Sequence, residues 1–271
     1  RDSYVPVRGD LMGWGDSRGN RSDRFLACVA YLDGIHPSVV MCRGYYTRTV
    51  LAAFDWDGKE LKQRWVFDSN NPGCKDYAGQ GNHNLRVGDV DGDGCDEIIY
   101  GSCAIDHNGK GLYTTEMGHG DAIHLTHFDP SRKGLQVWDC HENKRDGSTY
   151  RDAATGEVLF QIKDNTDVGR CMAADIDPTQ PGVEMWSVAS GGIRNVKGEV
   201  VKDRVRGLSC NMAVWWDGDL LRELLDRNMV SKYNWEKGVC ERIAIFEGTL
   251  SNNGTKANPC LQGDLVCRLL L

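Results

Sequence analysis

Apolar and polar positions alternate along this chain in short runs, broken by Gly/Asp/Asn turns about every ten residues. The runs "RFLACVAYLDG", "PSVVMCRGYYTRTVLAAFDWDGKELKQRWVF", "DEIIYGSCAIDHNGKGLYTT", "GLQVWDCHE" and "VEMWSVASGG" carry β-branched and aromatic residues between such turns. Period-two alternation closed by Asp-Gly or Asn-Gly predicts β-hairpins. One stretch has fair helix propensity, "DGDLLRELLDRN", but it follows "MAVWWDG" and reads as strand, turn, strand.

Two elements recur. "FDWDGKELKQRW", "AIDHNGKGLYTT", "RDAATGEVLFQI" and "WWDGDLLREL" each pair two strands across a polar, Gly-containing turn. "GDVDGDGCDEIIYG", "THFDPSRKGLQVWD" and "AADIDPTQPGVEMWS" each set an acidic loop before a strand. The steps from Asp91 to Asp129 to Asp177 are uneven but fall in the size range of a propeller blade. The expectation is an all-β protein, residues 1–271 forming a single β-propeller domain of four-stranded blades, with a β-sandwich as the alternative. The ending "GDLVCRLLL" follows another acidic-loop start and reads as a blade cut short, which would leave sheet edges bare.

The loop "DVDGDGCDE" has Asp89, Asp91, Asp93 and Glu97 at positions 1, 3, 5 and 9, with Gly94 allowing the sharp turn and the Cys95 carbonyl at position 7. Oxygen donors at alternate positions are the spacing that calcium needs, as in the first part of an EF-hand loop. The bland alternative is a solvated acidic turn, which the apolar strand that follows disfavours. "DIDPTQPGVE" offers a looser version with Asp175, Asp177 and Glu184, whereas "DPSRKG" with Asp129 reads as a turn. Such loops are structural staples, so the chemistry is sought elsewhere.

Composition narrows the classes. A net charge of −7 and a pI near 5.5 argue against a nucleic-acid binder. No apolar run reaches the ~20 residues needed to span a bilayer. The opening "RDSYVPVRGD" carries no apolar leader, which fits a mature secreted chain or an internal fragment. Eleven cysteines include no CxxC pair. Cys28 and Cys42 flank "LDGIHP" symmetrically and would face each other in a hairpin, allowing a cross-strand disulfide. The remaining cysteines read as small buried residues of a reducing or anaerobic setting.

Three polar clusters fall outside the repeat. "AGQGNHNLRVGD" carries Asn82, His83 and Asn84. "EMGHGDAIHLTHFD" carries His119 and Asp121, with His141 and Glu142 following in "WDCHE". "TLSNNGTKANP" carries Asn253, Gly254, Thr255 and Lys256. Histidines beside carboxylates suggest a mixed nitrogen–oxygen metal site, against the plainer reading of hydrogen-bonded loop residues. "NNGTK" is also readable as a turn, and "NGT" and "NRS" are formal glycosylation sequons. Arg18, Arg21 and Arg24 either bind an anion or pair with Asp16 and Asp23.

Taken together, "GWGDSRGNRSDRFLACVAYLDG", "PSVVMCRGYYTRTVLAAFDWDG", "GNHNLRVGDVDGDGCDEIIYGS", "MGHGDAIHLTHFDPSRKGLQVW", "GRCMAADIDP", "WWDGDLLRELLD" and "SNNGTKANP" resemble the family 11 rhamnogalacturonan lyases, from about Leu11 to about Leu265. The resemblance implies an eight-bladed β-propeller, of which this chain holds an incomplete set of blades. It also implies several bound Ca2+ ions and cleavage of the pectin backbone of rhamnogalacturonan I by β-elimination. By the same resemblance Asn253, Gly254 and Thr255 contact rhamnose, and Lys256 and Arg170 are the charged residues of the cleft. Lys256, its pKa lowered by a nearby Ca2+ and Arg170, is expected to be the base, with a histidine as the alternative. His83 and His119, with Asp121 and Glu142, correspond to the calcium ligands of the cleft. A secreted or surface-bound monomer acting on polysaccharide, with no nucleic-acid or membrane partner, is expected. "VCRLLL", Cys95 and Cys171 depart from the family pattern. The rival readings are a calcium-stapled propeller that binds sugar without catalysis, a glycoside hydrolase using Glu142 and Glu184, and a fragment without activity.

Overall fold

The turns and strands of the sequence fold as five four-stranded antiparallel meanders. The computed structural model describes residues 11–189 and 192–247. These divide into two compact units, the first reaching to Gly120 with Ala153–Glu157 added, the second comprising the rest. Among the described residues no helix is long and apolar enough to cross a membrane.

In the first unit, one sheet runs β1 (Phe25–Ala30), β2 (Ser38–Arg43), β3 (Val50–Trp56) and β4 (Leu61–Asp68). The other runs β5 (Arg86–Gly88), β6 (Glu97–Ile99), β7 (Cys103–Ile105) and β8 (Gly111–Thr114). Their shared core includes Leu32, Val40, Leu51, Ile98, Tyr100 and Ile105. The alternation predicted for hairpins holds in β2, but β6 and β7 are buried along their whole length. Strands covered on both faces read as continuous apolar runs, as "EIIYG" does.

The second unit holds three sheets. The first is β9 (Ile123–Thr126), β10 (Gln136–Cys140), β11 (Ser148–Asp152) and β12 (Val158–Ile162). The second is β13 (Cys171–Ala174), β14 (Glu184–Ser187), β15 (Ile193–Arg194) and β16 (Val200–Lys202). The third is β17 (Met212–Val214), β18 (Glu223–Asp226), β19 (Met229–Asn234) and β20 (Val239–Ile245). Tryptophans tie them in sequence: Trp138 Nε1 donates to the Trp186 carbonyl at 3.2 Å, and Trp186 Nε1 to that of Ser209 at 2.8 Å. Within the first of these sheets, Arg151 Nη1 and Asp139 Oδ2 form an ion pair at 2.9 Å with both side chains fully buried.

Every sheet carries a register shift between its third and fourth strands, at Ala53/Phe54, Ala104/Ile105, Tyr150/Arg151, Ile193/Arg194 and Val230/Ser231. An extra residue there bends the outer strand and increases its twist. In the last sheet the fourth strand, β20, has no buried residue.

The cysteine expectation needs correction. Cys28 pairs with Val40 and Cys42 with Leu26, so the two thiols sit diagonally rather than opposite. Both are free, as are all nine cysteines among the described residues. "WWDGDLLREL" also differs from its supposed equivalents, because it joins the first and second strands of its sheet and the other three join the third and fourth.

Candidate cation sites and an arginine pocket

The acidic loop between β5 and β6 turns at Gly92 and Gly94, with φ of +82° and +90°, in the left-handed region that favours glycine. Asp89 accepts the amides of Gly92 at 2.8 Å and Gly94 at 3.1 Å, and Asp93 accepts that of Cys95 at 2.8 Å. Asp96 faces away, accepting the Tyr31 amide at 2.7 Å and tying the loop to the first sheet. Oxygens of Asp89, Asp91 and Glu97 lie within 4.8 Å of one another.

Glu97 is the centre of this cluster. It is fully buried; Oε2 accepts the Val90 amide at 2.9 Å, while Oε1 makes no hydrogen bond. Burial, followed by the charges of Asp91, Asp93 and Asp106, pushes its pKa up to about 7. A buried carboxylate oxygen aimed into a group of acids fits a cation. Two donors that the sequence reading passed over complete the wall. Asp106 and His107 at the β7–β8 turn present oxygen and nitrogen to Glu97, with His107 Nδ1 2.7 Å from Asp106, 3.3 Å from Asp93 and 3.6 Å from Glu97. The Cys95 thiol groups with Asp93 and His107, a sulfur donor where only the backbone carbonyl was expected.

The looser loop is built alike. Glu184, fully buried, accepts the amides of Ile176 at 2.9 Å and Asp177 at 2.8 Å through Oε2, and its Oε1 makes no hydrogen bond. Burial raises its pKa to about 8. Asp177 turns to Thr179 instead, accepting its amide at 3.0 Å and its hydroxyl at 2.6 Å. Asp175, Asp177 and Glu184 do not gather within 4.8 Å among the described residues. Gln136 fills the corresponding place in β10, accepting the amides of Phe128 and Asp129. Asp129 closes a local turn on Ser131, as the sequence suggested.

In the first unit His83 and His119 are brought together, their ring centroids 4.8 Å apart. The His83 nitrogens meet the hydroxyls of Tyr45 at 3.2 Å and Tyr46 at 3.0 Å. His119 Nδ1 lies 2.5 Å from the Gly81 carbonyl. A carbonyl only accepts, so Nδ1 donates to it and Nε2 is the nitrogen left to face a ligand. Tyr45 stacks on His119 with rings 7° from parallel. These tyrosines gave no signal in the sequence beyond "GYYT".

In the second unit, His141 is fully buried and its Nε2 lies 2.9 Å from the Thr149 hydroxyl; burial lowers its pKa, so the ring is neutral. Asp121 and the half-buried Glu142 belong to this unit. Arg170 lines a pocket of about 450 Å³ with Ser209, Asn211, Asp226, Met229 and Ser231. Its Nη1 donates to Asn211 Oδ1 at 3.2 Å, and Asn211 Nδ2 donates to Asp226 Oδ1 at 3.1 Å. The amide thus orients a guanidinium whose planar fork suits a carboxylate.

The arginine-rich opening resolves in part into pairs. Arg21 meets Asp16 at 3.2 Å and lies over the Tyr46 ring, whereas Asp23 pairs with Arg43 at 3.1 Å. Asn253, Gly254, Thr255 and Lys256 lie outside the described residues.

Residues 1–268 match the family model described as "Rhamnogalacturonan lyase family 11, C-terminal domain". Two curated relatives from Bacillus subtilis (strain 168) are similar along 97% of this chain. One is the rhamnogalacturonan exolyase YesX, at 54% identity, and the other the rhamnogalacturonan endolyase YesW, at 51%. The chain spans less than half of either relative, 45% and 42%. Among solved structures, rhamnogalacturonan lyase YesW superposes with a TM-score of 0.89 at 50% identity, over 94% of this chain and 43% of that one. A Bacillus licheniformis rhamnogalacturonan lyase does so with the same TM-score at 53% identity, over 94% and 43%.

Proposed function

The chain belongs to rhamnogalacturonan lyase family 11, and on that premise we propose that it is part of a pectin-degrading lyase that cleaves the rhamnose–galacturonate backbone of rhamnogalacturonan I by β-elimination. Its five meanders are read as blades of a β-propeller, fewer than the eight the family resemblance implies. The polymeric substrate argues for action outside the cell or at its surface.

The reaction removes the proton on C5 of galacturonate and breaks the C4–O4 bond. A C4=C5 double bond forms, and the departing rhamnose oxygen takes up a proton. The C5 proton is poorly acidic because the adjacent carboxylate is already negative. Arg170 is assigned to that carboxylate: its two-nitrogen fork, steadied by Asn211, stabilises charge as it spreads from C5 into the carboxylate. Lys256 is assigned as the base, a role in which a lysine needs cationic neighbours that disfavour its protonated form. Calcium, when bound, supplies further neutralisation of the uronate carboxylate and charge balance for the acidic loop. Asp89, Asp91, Glu97, Asp106 and His107 have the donors for the loop ion, and the imidazoles of His83 and His119 offer nitrogen donors of their own.

The observation that carries this reading is Arg170 at the wall of an open pocket of about 450 Å³, held by Asn211. The test is ultraviolet absorbance of unsaturated uronate released from rhamnogalacturonan I, with calcium and with chelator. Calcium-dependent growth supports the lyase. Binding of the polysaccharide with no absorbance growth would replace it by a sugar-binding propeller, and reducing-end release without a double bond would indicate a hydrolase.

A further inference from the structure

Three sheets open their second strand with glutamate: Glu97 in β6, Glu184 in β14 and Glu223 in β18. Each is fully buried. Each uses Oε2 to accept the amide seven residues earlier, from Val90, Asp177 and Trp216. At two of these sites, Glu97 and Glu223, the glutamate gathers with the acids of the preceding loop. At the β5–β6 loop the basic group facing Glu97 Oε1 is an imidazole, His107, at 3.6 Å.

The β17–β18 loop is balanced differently. Asp217 and Asp219 gather with Glu223 so that an oxygen of each lies within 4.8 Å of the others. Lys232, on the adjacent strand β19, sends its ammonium into the middle of them. Nζ contacts Asp217 Oδ2, Asp219 Oδ2 at 2.5 Å and Glu223 Oε1 at 2.9 Å. Glu223 Oε1 makes no hydrogen bond and meets the charge of Lys232. The ammonium donates to Asp217 and Asp219 and forms an ion pair with Glu223, so all three carboxylates face one cation. A compact cation encircled by oxygens at these distances stands where an oxygen-coordinated divalent ion would stand.

We propose that Asp217, Asp219 and Glu223 form a latent divalent-cation site whose resident cation is the tethered ammonium of Lys232, so that Ca2+ enters this loop only when the ammonium is removed. The tether gives the ammonium an effective concentration in the millimolar range or above, which free calcium must exceed in affinity to displace it. The Lys232 side chain is 21% exposed and Glu223 is sealed beneath it, so a swing of the lysine towards solvent would open the pocket. The fifth sheet therefore keeps its acidic turn in chelator, unlike a turn that depends on a free ion. This inference concerns charge balance in the fold and stands whether or not the protein is a lyase.

The test is metal analysis after equilibrium dialysis against millimolar Ca2+, on the native protein, Lys232→Met and Asp217→Asn/Lys232→Met. The expected result is one additional calcium per chain in Lys232→Met over native, lost again in the double variant. Equal calcium content in native and folded Lys232→Met would overturn the proposal. A second measurement uses the native protein and needs no variant to fold. Amine acylation with acetic anhydride, read by peptide mass mapping, should leave Lys232 protected both in chelator and in millimolar Ca2+. Labelling of Lys232 that increases on adding calcium would show that the ion displaces the ammonium and would overturn it.

Discussion

Replacing Glu97 with glutamine should change stability in opposite directions with and without calcium. The carboxyl is sealed from solvent, with one oxygen on the Val90 amide and the other among Asp91, Asp93 and Asp106. Burial, then those neighbours, raise its pKa from 4.5 to about 7 against the lowering effect of the Val90 amide. A raised carboxyl pKa contributes stability that is fully present below 4.5 and lost as pH rises through about 7. In calcium-free protein the loss is about 3 kcal/mol at pH 8 and about 1 kcal/mol at pH 5.5. The amide of Glu97→Gln keeps an acceptor for Val90 and cannot ionise. In chelator at pH 8 the variant should therefore be the more stable, by up to ~3 kcal/mol or several degrees in Tm. In calcium the order should reverse, because an ion at a thousand times its Kd adds about 4.1 kcal/mol that the variant forfeits. Circular-dichroism melting at pH 8 and pH 5.5, each with calcium and with chelator, reads all four cases. A variant destabilised by the same amount with and without calcium would refute the reasoning, leaving Glu97 as a plain acceptor for a backbone amide.

Three further outcomes are expected. Arg151→Met should cost about 3–5 kcal/mol in urea denaturation, since it takes the guanidinium from the fully buried Asp139, and Asp139→Asn in the same chain should recover part of it; a loss under ~1 kcal/mol would show the pair to be dispensable. Gly101→Ala should destabilise by about 1–3 kcal/mol, because φ is +94° and a Cβ would stand 2.4 Å from the Gln80 carbonyl oxygen and 2.7 Å from the Asn82 nitrogen; an unchanged denaturation midpoint would contradict that geometry. Arg170→Lys, assayed by unsaturated uronate release, should fall by roughly 100-fold or more because an ammonium cannot reproduce the oriented fork; near-native turnover would remove Arg170 from the chemistry.

The acidic loop was legible because its donors are neighbours in sequence, and an ion loop is written at fixed spacing. Asp106 and His107 were not read with it, since a hairpin, not spacing, delivers them to Glu97. Asp217, Asp219 and Glu223 repeat the same logic as "DGDLLRE", but the stretch has the same Asp-Gly turn chemistry as the plain hairpins. Asn211 and Asp226 had no pattern to reveal them. They matter through contact with Arg170 and with each other, across strands.

The sequence by itself determined the strands, the turns between them and the family, because alternation, Asp/Gly turn chemistry and long motifs are all local. Only the tertiary structure decided which strands are buried on both faces, that Cys28 and Cys42 do not face each other, and that Lys232 balances one acidic loop. Burial, register and charge pairing are relations between residues distant along the chain. Their energies depend on what the fold brings within a few ångströms, and no single stretch of sequence contains that.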